Sequence, residues 1–296
     1  MDGILIVDKP EGFTSFDVIA KLRGILRERR LGHGGTLDPM ATGVLPVFAG
    51  AATKAVDLLP DATKRYTARV QLGARTDTGD RTGETVETSA ARPDPGAIRA
   101  AAASLIGKSE QVPPMVSAVR VNGKRLYELA REGKTVERAA RPIEIFSCEA
   151  SDFDVGAGRF TLDVACSKGT YIRTLAEDLA ARCGALGHLA ALRRTESAGY
   201  ALPQAHTLDE IAAAAAGGGV ERLLLGVETA FAALSAVELD GNLARLFLNG
   251  FRFGAARLPV PAAEKTLVRV RRAGVFLGLG AVEDGLFIKK KQFYFE

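Results

Sequence analysis

The run Gly32-His33-Gly34-Gly35-Thr36-Leu37-Asp38-Pro39 sets one imidazole and one carboxylate at fixed spacing among glycines. Glycines let backbone N–H groups approach an anion, so a phosphate loop is the first chemistry to test. A P-loop ends in Gly-Lys-Ser/Thr, and the dinucleotide fingerprint needs a glycine where Leu37 stands, so neither form is present. A metal site would need more ligands than His33 and Asp38. The other imidazoles, His188 and His206, form no HxxxH pair and join no cysteine cluster, so no metal is expected. What remains is a turn that presents a carboxylate. An aspartate before proline is by itself more often a turn former or a cap, and its reading as a reactive group depends on its company.

That company is specific. Residues 32–48 (GHGGTLDPMATGVLPVF), Lys64-Arg65-Tyr66 and Ser167–Thr174 (SKGTYIRT) strongly resemble the bacterial TruB family of tRNA pseudouridine-55 synthases. So do Val7–Gly12, Gln111–Pro142 and Leu192-Arg193-Arg194, in family order and spacing. The resemblance implies that Asp38 is the essential carboxylate that initiates cleavage of the uridine C1′–N1 bond, before the uracil rotates and rejoins through C5. Attack at C1′, attack at C6 and abstraction of the 2′-proton all remain open, and each needs an ionised Asp38. It implies that Arg173 holds Asp38 ionised against desolvation. It implies that Tyr66 stacks on the uracil with its hydroxyl near C5, and that Tyr171 and Leu192 line the uracil pocket. His33 is implied to contact the RNA where the flipped nucleotide leaves a gap. Lys9 and Pro10 are read as loop-shaping. No cofactor is implied, because the reaction is an isomerisation.

The elements that must hold these groups follow from periodicity. Gly3–Asp8 reads as an apolar strand stopped by Lys9-Pro10. Thr14 suits a helix N-cap with Asp17 at the reciprocal position, and the helical spacing runs from Phe16 as far as residues 27–30. A buried-type strand is expected at Val44–Ala49 and a short helix over 51–59. Arg65–Leu72 alternates, with Tyr66, Ala68, Val70 and Leu72 on one face. Asp77–Asp80 reads as a polar loop. Asp94-Pro95 starts and Gly107 stops an alanine-rich helix. Asn122-Gly123 suggests a hairpin turn, with a helix at about Leu126–Glu132. Ile143–Phe153 and Arg159–Cys166 read as antiparallel strands, followed by a helix to Cys183. The stretch 212–219 (AAAAAGGG) reads as a frayed helix end or linker. Beyond Val237 come short β-type runs at Leu267–Val270, Val275–Leu279 and Leu286–Ile288.

The fold class expected is α+β. The resemblance implies a mixed, largely antiparallel central sheet flanked by helices over residues 1–235, with a small all-β, PUA-like RNA-binding domain over 236–296. With 296 residues, 47% hydrophobic and 25% charged, the chain has an ordinary globular composition. No run approaches the ~20 apolar residues of a membrane span, and a cytoplasmic location without a membrane partner is expected. Cys148, Cys166 and Cys183 show neither zinc nor disulfide spacing. Residues 111–142 hold seven basic residues against three acidic ones, an excess of four that equals the formal charge of the whole chain. The segment resembles an inserted element that grips the T stem-loop of tRNA, with Lys124, Arg125, Arg131, Lys134 and Arg141 as the phosphate-contacting candidates. Lys289-Lys290-Lys291 is a further candidate for contacts to the acceptor arm. No obligate protein partner is implied and a monomer is expected. A non-catalytic RNA-binding scaffold is disfavoured by the joint presence of Asp38, Tyr66 and Arg173, and a hydrolase by the missing lysine and metal ligands.

Overall fold

The strands expected from alternation all form, and the sheet they build gains an interior strand that alternation does not show. The structure, a computed structural model, describes residues 1–60, 63–121 and 123–294. In chain order the main strands are β1 (Gly3–Lys9), β2 (Ala41–Ala49), β3 (Lys64–Leu72), β4 (Gly107–Gln111), β5 (Arg141–Asp154), β6 (Arg159–Cys166) and β7 (Gly187–Ser197). They lie side by side in the order β1-β2-β7-β3-β6-β5-β4, with the short strands Leu31–His33 against β2 and Tyr200–Ala201 against β7. Only the β2–β7 pairing is parallel, so the sheet is mixed and largely antiparallel.

The unexpected strand, β7, has a physical reason to be cryptic. Its buried positions include Gly187, Leu189, Leu192, Arg194 and Ser197, and its pairing with β3 shifts register between Leu189 and Ala191 and again between Arg194 and Glu196. The bulges break the period of two, β-branched residues are almost absent, and an arginine occupies a core position. The other differences are smaller. β2 begins at Ala41, three residues before the expected Val44, because Leu192 pairs with Ala41 and draws it into the sheet. β4 is an edge strand in a polar stretch that shows no alternation. Residues 50–58 form a 3₁₀ helix.

Six α-helices occur among the described residues: α1 (Ser15–Leu26), α2 (Pro95–Ser104), α3 (Leu126–Arg131), α4 (Ile172–Arg182), α5 (Leu208–Ala216) and α6 (Gly241–Leu248). α1 begins in a full capping box between Thr14 and Asp17, as expected. It stops at Leu26, short of the expected end, because Arg27 takes the left-handed conformation. α5, where the sequence suggests a frayed end, is a capped helix: Thr207 and Glu210 close its N-terminus, and Leu208 and Ile211 are buried. The Asn122-Gly123 turn falls partly outside the described residues, but Arg120–Val121 and Lys124–Arg125 pair as a hairpin on either side of it.

Helices α2 and α4 cover the sheet face that carries Tyr66, Ala68, Val70 and Leu72, giving one core with Ile98, Ile172, Leu175 and Leu179. Helices α1 and α5 cover β1 and β2 through Val18, Ile19, Leu22 and Ile211. The last part of the chain forms a separate five-stranded sheet. Its strands β8 (Ala236–Glu238), β9 (Phe253–Gly254), β10 (Leu267–Arg272), β11 (Val275–Glu283) and β12 (Leu286–Gln292) lie in the order β8-β10-β11-β12-β9. Helix α6 joins the strands expected there, burying Leu243, Ala244 and Phe247 against them. Leu279 and Phe293 of this sheet share a core with Ile4, Ile6, Phe48 and Phe231 of the larger body. No helix among the described residues is long and apolar enough to cross a membrane.

Candidate active site

The loop that carries Asp38 is anchored on both sides of it. Leu37 and Met40 are buried in the core under the sheet. The Ser15 hydroxyl accepts from the Leu37 N–H at 2.8 Å, the Gly34 N–H donates to the Pro46 carbonyl at 2.9 Å, and the Gly12 N–H donates to the Pro39 carbonyl at 2.8 Å. With its neighbours held inward, Asp38 turns its carboxylate into a cavity of about 200 Å³ lined by Thr36, Lys64, Tyr66, Ser117, Tyr171, Arg173 and Leu192, among others. The structure thus brings together Asp38, Tyr66, Tyr171, Arg173 and Leu192. His33 is not among the lining residues. It ends the short strand opposite Val47, with Nδ1 buried and without a hydrogen-bond partner among the described residues.

Arg173 is the fixed point of the site. Its Nε lies 2.9 Å from Asp38 Oδ2, one Nη donates to the Thr78 carbonyl at 2.8 Å and the other to the Val116 carbonyl at 2.8 Å. Arg173 is 3% exposed whereas the Asp38 side chain is 34% exposed, so the carboxylate is the partner that substrate can reach. An arginine at a helix start is commonly solvated; here it is a buried clamp whose plane is set by two backbone carbonyls. Burial pushes the Asp38 carboxyl above the ordinary carboxylate range, Arg173 pulls it back, and Asp80 adds to the rise.

Sequence alone marks Asp80 only as part of a polar loop. It is buried, and its Oδ1 accepts from the Thr78 hydroxyl at 3.0 Å, the Thr82 hydroxyl at 2.6 Å and the Thr82 N–H at 2.9 Å. Its Oδ2 stands 3.9 Å from Arg173 Nε, on the same nitrogen that faces Asp38. The Asp-Thr-Gly-Asp-Arg-Thr spacing of residues 77–82 is the available signal, since threonines two residues either side of an aspartate can close such a turn.

Two further residues support the site although no motif reading gives them a role. Arg194, directly across from Tyr66 in the β3–β7 register, is fully buried. It donates to the carbonyls of Val44 at 2.7 Å, Gly35 at 3.0 Å and Thr36 at 3.3 Å, tying the loop to β2. Gly43 makes this crossing possible: a Cβ there would lie 2.2 Å from the Arg194 carbonyl, and its φ is +101°. Gln111, at the end of β4, holds the Tyr171 backbone with both ends of its amide, accepting from the N–H at 2.8 Å and donating to the carbonyl at 3.1 Å. The Tyr66 hydroxyl is pushed above its ordinary range by burial, with Arg194 opposing.

Lys9 acts as expected for a loop-shaping residue. Its buried ammonium donates to the carbonyls of Pro10, Phe13 and Pro39 at 2.9, 2.6 and 3.4 Å, and burial lowers it to about 8. The basic segment divides. Lys124 and Lys134 both pair with Glu132, at 3.6 and 2.7 Å, while Arg125 and Arg131 flank the Tyr127 ring at 5.8 and 5.5 Å from its centroid. Arg141 stands apart, exposed at the start of β5. Of the lysine run, Lys289 donates to the Leu248 carbonyl and Lys290 pairs with Glu283, so two of the three are already engaged. Among the described residues, no three His, Cys, Asp or Glu side chains gather as metal ligands would.

Comparison with known proteins matches residues 23–172 to the TruB family pseudouridylate synthase N-terminal domain, and residues 173–232 to the tRNA pseudouridylate synthase B C-terminal domain. The second stretch contains most of α4 and all of β7, so it completes the main sheet. The tRNA pseudouridine synthase B of Cupriavidus metallidurans is 45% identical over 287 residues, covering 96% of this chain and 91% of that protein. The enzyme of the same name from Geobacter sulfurreducens is 45% identical over 294 residues, covering 97% and 94%. Among solved structures, a chain of a Cbf5-Nop10-Gar1 complex superposes with a TM-score of 0.77 at 23% identity, covering 99% of this chain and 85% of that one.

Proposed function

The chain belongs to the TruB family of pseudouridylate synthases and isomerises uridine to pseudouridine in tRNA; from that premise we propose that its target is uridine 55 in the T loop and that Asp38 is the reactive carboxylate. The observation that carries the assignment is the Asp38–Arg173 pair at 2.9 Å in the cavity shared with Tyr66, Tyr171 and Leu192. An ionised carboxylate, held by a buried guanidinium and one-third open, is what initiation at a flipped nucleotide requires. In the target, the C1′–N1 bond breaks, uracil turns within the cavity, C1′ bonds to C5, the C5 proton leaves and N1 takes up a proton, so that the product is an isomer of the substrate. Tyr66 lies on the β3 face that closes the cavity, where its ring stacks on the uracil with its hydroxyl toward C5. Tyr171, fixed through its backbone by Gln111, and Leu192 on β7 form flat apolar walls for the pyrimidine.

Extruding a uridine costs a few kcal/mol of stacking and pairing. His33, with an Nδ1 that has no hydrogen-bond partner among the described residues, is assigned to the gap the nucleotide leaves. The exposed cations of residues 120–134, together with Arg141, take the stem phosphates, and residues 236–296, whose strands end at Gln292, serve as a PUA-like RNA-binding unit beside the catalytic body of 1–235. The enzyme works as a monomer on the T stem-loop and uses no cofactor. The test is an unmodified tRNA transcript carrying 5-tritiated uridine. Stoichiometric tritium release that disappears when uridine 55 is replaced by cytidine is expected. Release that survives this replacement would overturn the T-loop assignment, and its absence from intact protein with folded tRNA would overturn the activity.

A further inference from the structure

The site contains two buried or half-buried lysines, Lys9 and Lys64, and among the described residues only Lys9 has hydrogen-bond acceptors. Lys9 gives its ammonium to three backbone carbonyls. Lys64, the first residue of β3, is half-buried and lines the same cavity as Asp38 and Tyr66. Among the described residues the charged groups facing its ammonium are Arg194 and Lys168, with the Cys166 thiol, kept neutral by burial, also nearby, and no carboxylate stands against it. Burial, with the neighbouring cations, lowers it to about 8. Removing a cation from water without a counter-charge is unfavourable, and a protein keeps such a group where a ligand supplies the missing anion.

The loop supplies the place. A Cβ at Gly35 would lie 3.6 Å from Lys64 Nζ and 3.6 Å from Arg194 Nη1, so the open side of this glycine faces two cationic groups at once. Gly35 has φ +135°, which an L side chain rarely adopts, and the notch stays empty of side chain. Arg194 is fully buried and spends its hydrogen bonds on the loop, on the Val44 carbonyl of β2 and on Tyr66, so it contributes field while Lys64 contributes the donor.

We propose that Lys64, over the open face of Gly35, binds a backbone phosphate flanking the flipped uridine and so fixes the ribose relative to Asp38. This rests on the pseudouridine-synthase reading and adds to it a phosphate contact inside the catalytic pocket, separate from the basic hairpin and helix of residues 120–134. The glycine loop, which lacks every element of a nucleotide P-loop, thereby still approaches a phosphate, with the donor coming from a neighbouring strand.

The test measures dissociation constants of T-stem-loop RNAs for the Asp38→Asn protein, with and without Lys64→Met. One RNA carries a neutral methylphosphonate on the 5′ side of the target nucleotide, another on its 3′ side, and each is compared with a charged RNA of matched sugar. Binding to the protein that retains Lys64 is expected to weaken roughly tenfold on one of the two neutral linkages. Lys64→Met is expected to weaken the charged RNA by a similar factor and to be indifferent to that linkage, while Lys64→Arg restores most of the discrimination. A loss on charged RNA with Lys64→Met that leaves the linkage effects unchanged would overturn the proposal and assign the ammonium to the base or ribose, and no loss on charged RNA with Lys64→Met would overturn it by showing that the ammonium contacts no part of the RNA. Lys64→Gln, with its melting temperature compared, guards against a folding defect in the methionine variant. Because the readout is binding, it is separable from tritium release: failure of turnover in the unsubstituted enzyme removes the activity, whereas failure of the linkage coupling removes only the phosphate contact.

Discussion

At the scale of single residues, the site turns on how one guanidinium is held. Arg173 presents Nε to Asp38 because its other nitrogens are committed to the Thr78 and Val116 carbonyls. Asp38→Asn keeps volume and removes charge; it is expected to fold and bind T-stem-loop RNA with unchanged affinity while single-turnover conversion falls by at least about a thousandfold. In the proposed role the active form of Asp38 is the carboxylate, and burial raises its pKa, so activity should rise with pH through a limb centred above the ~3.9 of an ordinary aspartate. Arg173→Met removes the principal lowering influence, so this limb should move to higher pH as well as losing amplitude. A rate that falls without a displaced limb would mean that the arginine matters only for packing. Asp38 is legible in sequence only in company. Asp80 is not, because a short polar loop gives no indication of which of its carboxylates folds inward.

At the scale of elements, β7 does most of the assembly. It lies between β2 and β3, and places Leu192 beside Ala41 and Ala68 and Arg194 beside Gly43 and Tyr66. The close crossing depends on Gly43, so Gly43→Ala is expected to reduce soluble yield and melting temperature sharply, since Cβ would meet backbone at 2.2 Å, which a rotamer change cannot relieve. The hairpin and helix of residues 120–131 make a contrasting case. Arg125 and Arg131 are exposed against Tyr127, whereas Lys124 and Lys134 already share Glu132. Arg125→Ala and Arg131→Ala should each lower the slope of log K against log salt by about one, with kcat unchanged at saturating RNA. Lys124→Ala should lower it less, its charge being partly neutralised by Glu132. The helices are readable from caps and stop signals, as at Thr14 and Asp94. The strand β7 is not, because bulges and a buried arginine erase the alternation that marks a strand.

At the scale of the whole molecule, the two sheets are joined through an aromatic cluster rather than a bare linker. Phe231 stands 5.6 Å from Phe293 and 6.1 Å from Phe276, centroid to centroid, and Glu228 pairs with both Arg269 and Arg271 at 3.0 and 3.3 Å. Phe231 is fully buried, and its truncation to alanine is expected to cost about 3–5 kcal/mol and to separate one thermal transition into two in calorimetry. A single transition shifted as a unit would show that the larger body alone sets the stability. The chain sequence by itself determined the helix starts at Thr14 and Asp94 and the faces of β3, because capping and periodicity are local and each is written within a few neighbouring residues, while the class of fold and the motif residues were legible through the resemblance of the motifs to the TruB family. Only the tertiary structure decided that Arg173 is buried between Asp38 and Asp80, that β7 is an interior strand between β2 and β3, that His33 lies outside the cavity lining and that Lys64 faces it without a carboxylate counter-ion among the described residues. Those outcomes depend on which distant strands pair and in what register, and desolvation and charge balance exist only once that pairing has closed the space around a side chain.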